Sequence, residues 1–173
     1  MSDLKKKNFI ENLSSAEAER VLSELYDEFP ELEDKIYDIA LKEVSGVDED
    51  DIMHDVFYEL EELDIDDLYN SSGSTRYGYV DPNELSWEMF EETLTPFIDE
   101  MKKSQDRDLP NETKSYCCGM IKGLRMYEKE ASSEFSDWVK DAPSQYIDVV
   151  LKEFKKGNPS DEDLAQVEAL VQR

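Results

Sequence analysis

Apolar residues in the first part of the chain recur three or four positions apart, the spacing that places side chains on one face of an α-helix. Ser14 and Glu17 form a capping-box pattern at the start of this series, and Pro30 interrupts it. A helix is therefore predicted over residues 14–28. Its apolar face comprises Ala18, Val21, Leu22, Leu25, Tyr26 and Phe29.

Two further amphipathic helices are predicted before residue 64. One begins at Pro30 and ends before Ser45 and Gly46, and the next spans residues 48–63 with acidic residues opposite its apolar face. Because only a short joint separates the first two helices, they are expected to form an antiparallel pair.

Proline marks the starts of later helices, since it fits the first turn of a helix but not its interior. Pro82, Pro110 and Pro143 each precede a helical apolar pattern, and Ser160 is a typical N-cap for a last helix. Only residues 76–80 resemble a strand. The sequence therefore predicts an all-α fold, an irregular bundle or short solenoid of eight or nine helices arranged as antiparallel hairpins.

The helix from Pro110 contains two glycines one turn apart, Gly119 and Gly123. Each glycine lowers helix propensity by about 1 kcal/mol relative to alanine, so a structural reason is expected. We predict that a neighbouring helix approaches closely at this pair.

The stretch at residues 70–75, Asn-Ser-Ser-Gly-Ser-Thr, is the most loop-like part of the sequence. It suggests an acidic N-terminal helical part over residues 1–69, a linker loop over 70–81 and a C-terminal helical part over 82–173. At this length the two parts are expected to pack together as one domain.

Charge is distributed unevenly. The chain has 19 Lys and Arg against 44 Asp and Glu, a formal net charge of −25. Residues 24–69 hold 19 acids and only two lysines, a net of −17, whereas residues 101–173 are nearly neutral. Such a block repels phosphate backbones, so direct nucleic-acid binding is not expected. It is typical either of a solvated surface or of a surface that attracts a basic protein.

The N-terminal 13 residues contain no apolar segment of the kind found in signal peptides or membrane spans, so a cytoplasmic protein with no membrane association is expected. The two cysteines, Cys117 and Cys118, are adjacent, and a disulfide between neighbours would be strained. Free thiols fit a reducing compartment.

Candidate chemistry is sparse. The run that includes Asp50, Asp51, His54 and Asp55 is the densest set of potential metal ligands, but acids at a helix N-terminus are more simply explained by the helix dipole. Neither this run nor residues 64–67 has the glycine of a calcium-binding loop. No spaced Cys or His pairs suggest zinc. A nucleophilic pair of a cysteine with His54 is formally possible, although buried structural thiols are commoner. No cofactor is predicted.

Two groups of residues are candidates for an interaction surface. One is the aromatic segment Arg76-Tyr77-Gly78-Tyr79, whose residue types either anchor interfaces or cover a core. The other is acidic: Asp48, Glu49, Asp50, Asp51 and Asp55.

Residues 77–82, 119–127 and 138–143, together with the helix that ends near Pro96 and Phe97, resemble the helical region beside the zinc module of prokaryotic SWIM-type zinc-finger proteins. The resemblance implies a helical accessory fold. The spaced Cys and His ligands of that family's zinc module have no counterpart here, so zinc and nucleic-acid binding do not carry over.

We therefore expect a non-catalytic helical scaffolding or protein-interaction domain with an acidic face that recognises a basic partner. The alternatives are a mimic of nucleic-acid charge that inhibits a DNA-binding protein, and an uncharacterised enzyme with a cleft around His54 or a cysteine. The oligomeric state does not follow from the sequence.

Overall fold

The computed structural model describes residues 3–76 and 78–172. Within them lie nine α-helices: α1 (Asp3–Glu11), α2 (Ser15–Glu28), α3 (Glu33–Val44), α4 (Glu49–Glu61), α5 (Ile65–Ser71), α6 (Pro82–Asp106), α7 (Pro110–Glu130), α8 (Ala142–Lys156) and α9 (Asp161–Val171). Short 3-10 turns span Pro30–Leu32 and Glu134–Trp138, and strands β1 (Gly73–Thr75) and β2 (Gly78–Val80) form a small hairpin. The predicted all-α class is confirmed.

Local signals in the sequence set most helix ends. The capping box at Ser14 and Glu17 begins α2, with Ser14 N donating to the Glu17 carboxylate at 2.9 Å. Ser160 Oγ accepts from Asp163 N at 3.1 Å and so begins α9. Each bond satisfies a backbone or side-chain group that a helix end leaves open. Pro30 instead begins a 3-10 turn, and α3 starts three residues later.

The chain separates into two compact units, Met1–Ser45 and Gly46–Arg173, so the division falls after Ser45 rather than within the predicted linker at residues 70–81. The reason is that α4 packs against α7, which joins this acidic helix to the C-terminal helices. The N-terminal unit contains α1 to α3, and none of these helices has a buried residue.

The described residues of the predicted linker, 70–76 and 78–81, include regular structure. The end of α5 passes into the β1–β2 hairpin, in which Gly73 pairs with Val80 and Ser74 with Tyr79. Gly73 adopts a φ of 85° there, a conformation that glycine reaches without strain. Asp81 then caps α6 by accepting from Asn83 N at 2.8 Å.

Helix α7 is the central element of the C-terminal unit, since it contacts α4, α6, α8 and α9. Its buried face includes Cys117, Met120, Ile121, Leu124 and Tyr127. Helices α4, α6, α8 and α9 pack buried residues around it. Among the fully buried side chains of that shell are Val56, Leu60, Phe90, Leu94, Ile147, Phe154 and Val167.

The predicted close approach at the glycine pair is confirmed, and the neighbouring helix is α4. A Cβ atom on Gly119 would lie 2.6 Å from Ile52 Cβ and 2.8 Å from the Glu49 carbonyl oxygen. A Cβ atom on Gly123 would lie 2.7 Å from both the Met53 carbonyl oxygen and Val56 Cβ. These separations are well inside van der Waals contact, so only glycine fits at either position. We call this contact the glycine seam.

We predict that Gly123→Ala lowers the free energy of unfolding by about 1–3 kcal/mol, the usual cost of overpacking a tight core. In an open helix the same change would raise stability by up to about 1 kcal/mol, so the sign of the effect is diagnostic. Urea titration of both proteins measures it.

Lys129→Ala, in the exposed last turn of the same helix, is the control and should shift stability by no more than about 0.5 kcal/mol. An unchanged or raised stability for Gly123→Ala would show that α4 can move away from α7 at little cost.

Candidate interaction surface

Helix α4 presents two different faces. Ile52, Val56 and Leu60 are buried against the core. The opposite side is exposed and carries acids at intervals of three or four positions, which places them in one row along the helix. We call this side the outer face; it comprises Asp51, His54, Asp55, Tyr58, Glu59 and Glu62.

The acids at the start of α4 have structural partners. Asp48 caps the helix by accepting from Asp50 N at 2.8 Å. Lys122 of α7 donates to Glu49 at 2.7 Å and lies 3.2 Å from the Asp50 carboxylate. The hydrogen bond to Glu49 raises the pKa of the Lys122 ammonium. These three predicted interaction residues therefore act mainly in capping α4 and attaching it to α7.

Glu61, at the other end of α4, also has a structural role. Its carboxylate accepts from Ser132 N at 3.0 Å, from Ser132 Oγ at 3.0 Å and from Ser133 N at 3.3 Å. The connection between α7 and the following 3-10 turn is thereby fastened to the end of α4. Nothing in the sequence spacing separates Glu61 from its acidic neighbours, so its role emerges only from the fold.

The acids of the outer face are different, because within the described chain Asp51, Asp55, Glu59 and Glu62 make no side-chain hydrogen bond or ion pair. Asp51 and Asp55 were among the predicted interaction residues. Glu59 and Glu62 were not, although continuing the same spacing along the helix identifies them. The outer face thus carries negative charge that no residue of the described chain neutralises by a direct contact.

An aromatic pair lies among these acids. The rings of His54 and Tyr58 are stacked with centroids 6.2 Å apart, and Phe57 meets Tyr58 edge to face at 5.4 Å. Tyr58 is nevertheless 58% exposed. A ring held by neighbours yet open to solvent offers contact area to a partner with little loss of side-chain entropy.

The aromatic segment lies on the β1–β2 hairpin. Tyr79 is 70% exposed, so this tyrosine does not cover the core. Arg76 occupies the turn between the strands and is exposed, and Tyr77 lies outside the described residues. Tyr79 is therefore available as a second aromatic contact residue.

Nucleophilic chemistry gains no support from the geometry. His54 is exposed on α4, whereas Cys117 and Cys118 are buried in α7. Burial raises the pKa of Cys118 to about 11 and that of Cys117 further still. Both thiols therefore stay protonated near neutral pH, and a thiol is a poor nucleophile compared with its thiolate.

The described residues, 3–76 and 78–172, contain neither a grouped set of metal ligands nor a membrane-spanning helix. No three or more His, Cys, Asp or Glu residues there are grouped so as to hold a metal ion. None of the described helices is long and apolar enough to cross a membrane.

Basic side chains of α7 and α8 hold α9 in place. Lys114 of α7 donates to Asp163 of α9 at 2.7 Å, and Lys155 of α8 donates to Glu168 of α9 at 2.7 Å. Arg125 further donates to the Val171 carbonyl oxygen at 3.0 Å. These three bonds join α9 to α7 and α8.

Comparison with protein families, curated proteins and solved structures finds no match to this chain. The resemblance to the region beside SWIM-type zinc modules accordingly stays a prediction.

We predict that both cysteines react slowly with iodoacetamide in the folded protein. The pKa of Cys118 is raised from an unfolded value of about 8.5, so the folded state retains the thiol proton. Its stabilising contribution is complete below about pH 8.5 and is lost as the pH rises through about 11. At pH 8, alkylation followed by mass spectrometry should be at least about 100-fold slower than in the urea-unfolded chain.

Equal rates in the folded and unfolded chains would contradict this burial. They would also reopen a reactive role for the pair.

Proposed function

We propose that this protein is a non-catalytic helical interaction domain whose outer face binds a basic surface on another protein. The observation that carries the proposal is the row of acids on α4 that have no partner in the described chain, beside the exposed ring of Tyr58. Fixed charge of one sign with an aromatic contact residue is a combination that favours recognition of Lys and Arg side chains.

The way α4 is held supports this proposal. Its buried face rests on the glycine seam, and Lys122 and Glu61 fasten its two ends. The outer face is therefore presented on a supported helix and not on a loop, which reduces the ordering entropy that a partner must overcome. Helix geometry spaces Asp51, Asp55 and Glu59 about 6 Å apart.

The spacing of about 6 Å between carboxylates along α4 favours a basic protein partner over the alternative that the face mimics the charge of a nucleic acid. Duplex DNA carries about one charge per 1.7 Å of its axis, several times the density of a single carboxylate about every 6 Å along α4. One helix face reproduces neither that density nor its length. A basic protein surface, whose Lys and Arg side chains can adjust to sparse carboxylates, fits this row better.

We predict that neutralising the outer face with Asp51→Asn, Asp55→Asn and Glu59→Gln weakens partner binding about tenfold or more. Three exposed ion pairs at about 0.2–1 kcal/mol each total about 0.6–3 kcal/mol, and the middle of that range corresponds to somewhat more than tenfold. The protein, immobilised, captures partners from an extract of its source cells. Captured partners are then purified and titrated at about 0.1 M and about 1 M salt, over which the Debye length falls from about 10 to 3 Å.

The matched control is Asp106→Asn, Glu130→Gln and Asp148→Asn, which removes the same charge from exposed sites on other helices. The control should bind like the wild type. Partners that the neutralised face retains at full strength at both salt concentrations would contradict the proposal. Partners that duplex DNA displaces would favour the charge mimic.

A further inference from the structure

The N-terminal unit leaves the apolar face of α2 uncovered. Every residue of α2 is exposed, although its apolar residues recur at helical spacing. Val21, Leu22 and Tyr26 are 44%, 50% and 47% exposed, and Leu25 and Phe29 are similar. Contiguous large apolar side chains at a surface are a feature of interaction sites in proteins of this size.

Two of these side chains, Leu22 and Tyr26, border a groove. It has a volume of about 360 Å³ and is lined by Leu22, Ser23, Tyr26 and Asp27 of α2 and by Ile36 of α3. Tyr26 Oη donates to Glu33 Oε1 at 2.9 Å, which links the two helices beside the groove. A groove between two linked helices is the kind of receptor that takes the apolar face of a third helix.

Acids flank the apolar series on both sides. By helical geometry Glu17 and Glu28 lie next to Val21, while Glu19 and Asp27 lie beyond Tyr26 on the other edge. Glu17 bonds to its own N-cap, Ser14, and the other three acids make no side-chain bond in the described chain. Residues 14–45 together hold ten acids and three bases, a net charge of −7.

The negative charge around the groove favours some candidate ligands over others. A second copy would bring two groups of −7 together, and like charges across an interface oppose association. Anionic membrane surfaces are disfavoured for the same reason. A helix with an apolar stripe flanked by Lys or Arg would fill the groove and pair with both acidic borders.

We infer that the groove between α2 and α3 binds a cationic amphipathic helix of a partner protein. The inference rests on the proposed function for the basic character of the partner, and it assigns the apolar part of recognition to a surface separate from the outer face of α4. Burial of apolar side chains in the groove supplies affinity, and the acidic borders favour a positively charged ligand over a negatively charged one.

The test uses the full chain and a synthetic peptide of about 15 residues, the length at which isolated helices become stable. The peptide contains Leu and Lys with all Leu on one helical face. Two reference peptides are a scramble of the same composition without an apolar face and a version with Glu in place of Lys. Isothermal titration should show binding of the first peptide at least tenfold tighter than of either reference.

Leu22→Gln with Ile36→Gln removes one apolar side chain from each helix that lines the groove without lowering helix propensity, and should weaken binding at least tenfold. Circular dichroism verifies that helix content is kept. Asp27→Lys, at the border of the groove, should weaken binding severalfold. Asp38→Lys, which lies about 200° around α3 from Ile36 and so faces away from the groove, should have a smaller effect. Asp27→Lys still tests groove binding if the double Gln variant loses helix content.

Other results would overturn the inference. Equal binding of the scramble, or no effect of either the double Gln or the Asp27→Lys variant, would exclude groove recognition. Loss of peptide binding only in the neutralised α4 variant would leave the proposed function standing without the groove. Self-association abolished by Leu22→Gln would assign the groove to a second copy, and binding to vesicles of zwitterionic lipid in preference to the peptide would assign it to a membrane.

Discussion

The close packing of α4 on α7 is the constraint on which the C-terminal unit depends. At the glycine seam the two backbones approach until a single methyl group would overlap a carbonyl oxygen of the opposite helix. This approach buries Ile52, Val56 and Leu60 and brings the start of α4 within reach of Lys122. This close approach attaches α4 to the C-terminal helices and fixes the orientation of its outer face.

The packing of α4 on α7 at the glycine seam also determines which acids of α4 face α7 and which face solvent. Asp48, Glu49, Asp50 and Glu61 lie where the packed helix needs caps and ties, and their charges are engaged there. The acids of the outer face point away from α7, and their side chains contact no partner in the described chain. A single acidic segment is thus divided by helix rotation into a structural set and a surface set, and only the second is available for recognition.

Much of the fold follows from local signals in the sequence. Pro82, Pro110 and Ser160 mark helix starts. Proline has no N–H to leave unpaired in the first turn, and the Ser160 hydroxyl accepts a hydrogen bond from a backbone N–H there. The glycine pair was informative for a related reason, since its cost to helix propensity requires a compensating contact. Helices α1 and α5 are not predicted from the sequence. They have nine and seven residues, and neither has an apolar series long enough to establish a helical period.

Other features depend on long-range contacts that spacing does not encode. The regular apolar series of α2 predicts a helix equally well whether that series is buried or exposed, so the open groove of the N-terminal unit could not be foreseen. The boundary after Ser45 was hidden likewise, because the polar residues 70–75 look like a linker although they lead into a hairpin. Among the candidate site residues, the sequence identified the acidic segment, and only the packing of α4 separated Asp51 and Asp55 from Asp48, Glu49 and Asp50.

The central claim is that α4 is held on α7 as one cooperative element with the core. Native-state hydrogen exchange tests it most directly, because it reports the free energy at which each helix opens. The account predicts that the amides of Val56 and Leu60 in α4 exchange with the same opening free energy as those of Ile121 and Leu124 in α7, at or near the free energy of global unfolding. An opening of α4 at clearly lower free energy than α7 would contradict the account, since a helix that detaches by itself does not depend on the glycine seam.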